Sequence, residues 1–138
     1  MKKEHRIFII DWLTRIYSSG FFSLQVSMFI ACQFALESDF GCSKLATEHN
    51  NYCGMKIPHR RCFYGVRLDG CQFAHYASSN CCIHDYISWV MFNRPLTFNL
   101  HDVESFKLFL RDSGYCPEKD YISRITNIFN QFTNGQTK

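Results

Sequence analysis

Long apolar runs, a strong excess of charge of one sign and C-x-x-C cysteine pairs are all missing from this 138-residue chain. No stretch approaches the roughly 18 uninterrupted apolar residues of a membrane span, so no membrane-crossing helix is expected. The formal net charge is only +3 and the pI about 8.4. That is too weak for a nucleic-acid binder, which needs a dense basic stripe. His59-Arg60-Arg61 forms a single tight basic cluster, and a slight positive balance at most favours approach to an anionic polymer. Linkers, repeats and low-complexity tracts are absent as well. The chain therefore reads as one domain over residues 1–138, with a core from about 7 to 132 and a polar, frayed tail from 133 to 138.

Cysteine is plentiful, with eight residues, but its pattern excludes the usual uses. No C-x-x-C pair occurs, the neighbours Cys81 and Cys82 serve one tetrahedral ion poorly, and the interspersed His49, His59, His75 and His84 have irregular spacings. Structural zinc is not expected. The charged start Met1-Lys2-Lys3-Glu4-His5-Arg6 resembles that of a secretion signal, but the apolar run Ile7-Phe8-Ile9-Ile10 stops at Asp11. This falls short of the about 7 to 15 apolar residues a signal requires. Without a signal, a disulfide framework loses its context and buried free thiols are the default. The expectation is synthesis in the cytoplasm, with some other route to any target outside the membrane.

What is abundant is aromatic side chain, at 17% of residues, enough to fill a core and to supply flat faces that stack on sugar rings. Apolar periodicity predicts helices over Ile7–Ser18, Phe22–Ser38 and Asn99–Asp112. A helix capped by Ser78 or Ser79 runs to Asn93 and stops before Pro95. A last helix, opened by Pro117, reaches Phe132. The stretch Phe22–Ser38 is apolar on most sides and should be central. A short helix is predicted within 43–48. Between Asn50 and Tyr76 the chain is broken by Gly54, Pro58, Gly65 and Gly70, and Asp69-Gly70 reads as the turn of a hairpin. The fold class is thus α+β and predominantly helical, with one small β-hairpin lobe and a cleft between lobe and helices.

Glu37 stands out chemically, because it follows Phe34-Ala35-Leu36 at the end of the most apolar helix. Burial disfavours its charged form, and the partial negative charge at a helix C-terminus acts in the same direction. A carboxyl that keeps its proton near neutral pH is what glycoside cleavage needs to protonate a leaving oxygen. An ordinary surface Glu on a last helical turn remains the alternative at this level.

The segments around it carry a resemblance. Gln33-Phe34-Ala35-Leu36-Glu37-Ser38-Asp39-Phe40-Gly41, Ser43-Lys44-Leu45-Ala46 and Asn50-Asn51-Tyr52-Cys53-Gly54-Met55-Lys56 follow in order. So do Phe73-Ala74-His75-Tyr76-Ala77-Ser78, Asp85-Tyr86 and Ser113-Gly114-Tyr115 with Tyr121-Ile122. Together they are similar to the bacterial glucosaminidase family (glycoside hydrolase family 73). The resemblance implies a lysozyme-like fold and hydrolysis of the β-1,4 bond after N-acetylglucosamine in peptidoglycan. It assigns Glu37 as catalytic acid and places Tyr76 near it. Asn50, Asn51, Tyr52 and Asp39 are the candidates for substrate contact or for shaping the cleft, and no cofactor is implied.

Two departures matter. No Glu lies between Lys56 and Tyr76, where the family often has a second one, and the acid present there is Asp69, in the expected turn. A one-carboxyl mechanism assisted by the substrate's own N-acetyl group is therefore favoured. Asp39 stands where glycine is usual and is placed to tune Glu37 or assist a water. The alternatives are a muramidase or lytic transglycosylase, and a wall-binding module of the same fold without turnover. The partners implied are peptidoglycan strands and a delivery system, whether phage, secretion or conjugation.

Overall fold

The computed structural model describes residues 1–95 and 99–135. Among the described residues six helices follow one another: α1 (Lys3–Ser18), α2 (Leu24–Ser38), α3 (Lys44–His49), α4 (Ser79–Asn93), α5 (Val103–Ser113) and α6 (Tyr121–Asn134). Capping chemistry sets several ends away from where apolar periodicity puts them. Ser23 accepts from the Val26 N–H, so α2 starts after Phe22, and Asp102 accepts from the Glu104 N–H, which delays α5 past Asn99. Each cap satisfies an N–H that would otherwise lack a partner. α1 begins earlier than expected, because its charged opening residues join the helix. α6 starts at Tyr121 rather than Pro117 and runs past Phe132 to Asn134, so the expected tail is helical at its start; residues 136–138 lie outside those described.

α2 is the axis of the molecule. Val26, Phe29, Ile30, Ala31, Phe34 and Ala35 are fully buried along it, and it packs against α1, α5 and α6. Trp12 of α1 meets the edge of Phe34 at 5.2 Å between ring centroids, Phe106 of α5 meets Phe29 at 6.2 Å, and Tyr86 of α4 reaches Phe34 at 5.2 Å. Tilted and edge-on aromatic contacts of this kind fill volume and add a modest electrostatic preference. α2 ends with Asp39 in the left-handed region at φ 49°, a conformation that glycine, and less often Asn or Asp, adopts at helix ends. The Phe40 N–H then closes back on the Ala35 carbonyl at 2.8 Å.

The lobe between α3 and α4 corrects the expected β-hairpin. Among the described residues it holds no strand, only isolated antiparallel bridges at Lys56–Phe73 and Val66–His75. The turn is where expected, with the Cys71 N–H bonded to the Leu68 carbonyl at 3.1 Å. Gly70 takes φ +75° but Asp69 has no positive φ. That is the pattern of a type II turn, whose twist splays the flanking chains instead of pairing them. Val66 consequently pairs two residues further along than a tight hairpin would place it.

A few backbone bonds, such as Ala74 N–H to the Met55 carbonyl at 2.9 Å and Ile57 N–H to the Gln72 carbonyl at 3.0 Å, are reinforced by side chains. The buried Asn51 carboxamide donates to the carbonyls of Met55 and Ala74, both at 2.9 Å, and accepts from the Met55 N–H at 3.2 Å. Asp85 of α4 is fully buried and binds Arg61 through both terminal guanidinium nitrogens, at 2.5 and 3.1 Å. It also accepts from the Tyr64 N–H and the Tyr76 hydroxyl. A buried ion pair holds only when its remaining hydrogen-bonding positions are filled, as they are here.

Candidate active site

Glu37 lies on the last turn of α2, half-buried, one helical turn beyond Gln33. Burial is the main cause that raises its carboxyl above the ordinary 4.5, and the charge of Glu118 adds to it. A hydrogen bond from the Tyr121 hydroxyl and the cation of Arg124 act the other way, less strongly. Desolvation thus dominates.

The carboxylate is held from behind and from the side. Gln33 is fully buried, its carboxamide donating to the Tyr121 hydroxyl at 2.9 Å and accepting from the Tyr86 hydroxyl at 2.5 Å. This orients the Tyr121 oxygen that serves Glu37. On the other flank a Cβ at Gly54 would sit 2.4 Å from Glu37 Oε2, and Gly54 has φ +70°. Only a residue without a side chain fits between the backbone and the acid at that point. Tyr115 completes the wall, stacked on Tyr121 with its hydroxyl donated to the Cys53 carbonyl at 2.5 Å.

Two depressions meet in front of this wall. One, of about 360 Å³, is lined by Tyr121, Glu118, Pro117 and Gly114. The other, of about 340 Å³, is lined by Tyr115, Pro117, Gly114, Met55 and Trp89. They share Gly114 and Pro117; Tyr121 lines the first and Tyr115 the second, and Glu37 itself lines neither. A larger depression of about 580 Å³ lies between Arg15 and Ile87 on α1 and α4 and includes none of these residues.

The other residues singled out from sequence are placed differently. Tyr76 is fully buried, its hydroxyl donated to Asp85, so it anchors the lobe. Asn50, with φ 53°, ends α3 and donates to the Tyr76 carbonyl at 3.0 Å, while Asn51 shapes the loop that carries Gly54. Tyr52 packs on Trp12 at 4.9 Å. Asp39 is exposed at the helix end, and Asp69 is exposed at the lobe's turn. The structure therefore joins Glu37 with Tyr121, Gln33, Gly54 and Glu118, and assembles Tyr76, Asn50 and Asn51 into the support of the lobe. Tyr121 belongs to the last matching segment of the sequence, whereas no local signal separates Gln33 from Gln25 of the same helix.

A helical body with an acid at the end of its buried central helix and an irregular lobe beside it defines a known fold. A chain of a type VI secretion system effector–immunity complex from Pseudomonas protegens superposes with a TM-score of 0.72 at 16% identity, covering 99% of this chain and 96% of that one. The catalytic domain of the autolysin Auto from Listeria monocytogenes superposes with a TM-score of 0.63 at 16% identity, over 100% and 89%. No curated protein matches the chain in sequence. The family described as mannosyl-glycoprotein endo-beta-N-acetylglucosaminidase matches residues 24–134. The chain belongs to this glucosaminidase family, a family of glycoside hydrolases.

Proposed function

We propose that this protein hydrolyses peptidoglycan at the β-1,4 bond after N-acetylglucosamine, with Glu37 as the general acid. The observation that carries this reading is a half-buried carboxyl whose charged form burial disfavours, on the last turn of the central helix, in a chain of the glucosaminidase family. A protonated acid there gives its proton to the leaving glycosidic oxygen as the bond to the anomeric carbon breaks. The lobe's own carboxylate, Asp69, is exposed at its tip. The mechanism that fits is attack by the substrate's N-acetyl oxygen on the anomeric carbon. Water then opens the cyclic intermediate and returns a proton to Glu37. Delivery by a secretion apparatus accords with the fold shared with the type VI effector complex.

The test is clearance of a peptidoglycan suspension by wild type and Glu37→Gln, with analysis of the released ends. Loss of about 10²- to 10⁴-fold in rate with the fold retained, and reducing N-acetylglucosamine ends from wild type, are the expected results. Equal clearance by both proteins removes Glu37 as the acid. Reducing or anhydro muramic ends assign the muramidase or transglycosylase reaction instead, and binding without clearance assigns a wall-binding module.

A further inference from the structure

Cys53 and Cys82 are both fully buried, and their sulfur atoms lie 3.1 Å apart. All eight cysteines are free thiols, and no other pair of sulfurs is in hydrogen-bonding contact among the described residues. The position of this pair in the chain gives the contact its meaning. Cys53 stands where the backbone enters the irregular lobe, directly before Gly54, and Cys82 stands in the first turn of α4, where the backbone leaves it. The two sulfurs thus face each other across the neck of the lobe, which has no regular ladder to hold it shut.

We propose that Cys53 and Cys82 are a disulfide-forming pair that closes the neck of the lobe when the protein folds in an oxidising compartment. The step is a thiol–disulfide exchange with a small-molecule or protein disulfide donor. One thiolate attacks the donor to form a mixed disulfide and releases one donor thiol. The second thiolate then displaces the other donor thiol, leaving a Cys53–Cys82 bond; two protein thiols are oxidised as one donor disulfide is reduced, and the two thiol protons pass to the departing donor thiols. Burial holds the Cys53 thiol well above its ordinary value, so exchange belongs to folding or to a transiently opened lobe rather than to the closed state. The bond would tie to α4 the loop that sets Gly54 against Glu37. Cys32, by contrast, is buried in α2 with its thiol pushed up to about 12, and among the described residues it makes no hydrogen bond to a second sulfur.

The experiment refolds the full chain in excess oxidised glutathione and, separately, in dithiothreitol. Free thiols are then alkylated in denaturant and the peptides mapped without reduction. The expected result in glutathione is one linked peptide pair that contains Cys53 and Cys82, with both residues alkylated in dithiothreitol. The oxidised form should melt roughly 10 °C higher, because the closed loop restricts the unfolded chain. A Cys82→Ala chain should lose that redox-dependent shift. Recovery of Cys53 and Cys82 as alkylated thiols after oxidation, or linkage of either to a different cysteine, overturns the proposal, whether or not the variant folds. Because thiols and melting are read, and not wall clearance, the outcome is independent of the proposed enzymatic reaction.

Discussion

At Glu37 two neighbouring charges oppose each other across a few side chains, and this makes the acid adjustable. Glu118 raises its carboxyl and Arg124 lowers it, while the two pair with each other at 3.2 Å. In the reaction proposed above the active form is the protonated one, so activity should fall on the alkaline side as Glu37 ionises. Replacing Glu118 by Gln removes a like charge and lets Glu37 ionise earlier. The alkaline limb of the pH–rate profile should move to lower pH, and Arg124→Gln should move it to higher pH. Both side chains are half-exposed or more, so the shifts should shrink in 1 M salt. Movement of the limbs in the opposite directions would show that these charges act on something other than the acid.

Among elements, the helices were legible and the lobe was not, for a physical reason. Helices are written in local periodicity and caps, and Leu24–Ser38 or Ser79–Asn93 differ from the sequence reading by a residue or two. The lobe is written in long-range bonds from single side chains. Asn51 braces the backbone pairing between Met55 and Ala74, and Asp85 holds Arg61 and Tyr76 from a helix that comes later in the chain. Nothing in the local pattern of residues 56–75 announces those partners. The same limit explains why Glu37 stands out in the sequence while the role of Gln33 does not, since Gln33 reaches Tyr86 and Tyr121 from far along the chain. Asp85→Asn tests the lobe directly. It leaves the Arg61 guanidinium buried without its counter-charge, at a cost of about 3–5 kcal/mol. A fall in Tm of roughly 10–15 °C is expected; a loss of a degree or two would mean that the pair contributes little to holding the lobe.

For the molecule as a whole, the raised carboxyl couples stability to pH. The folded protein keeps a proton on Glu37 that the unfolded chain has already released, from the ordinary value of 4.5 up to the raised one. In that window the folded state binds more protons, so its stability declines as pH rises, and above the window the loss is constant. Glu37→Gln cannot ionise. Its stability relative to wild type should therefore be flat in acid, grow as pH climbs through the window, and level off above it. Denaturant titrations of both proteins from pH 4 upward measure this, and a difference that shrinks with rising pH would contradict burial as the main cause.

The placement of the acid on α2 has a further consequence. Phe29, Phe34 and Ala35 pack the centre of the molecule, and Glu37 continues the same rigid rod. A substitution that tilts the rod to improve packing also re-aims the acid, so the interior of this protein cannot drift in sequence independently of its chemistry. The lobe's exposed turn carries no such bond to the reaction. Variation between descendants of a common ancestor should accumulate there first, and new substrate preferences can arise there without disturbing the acid.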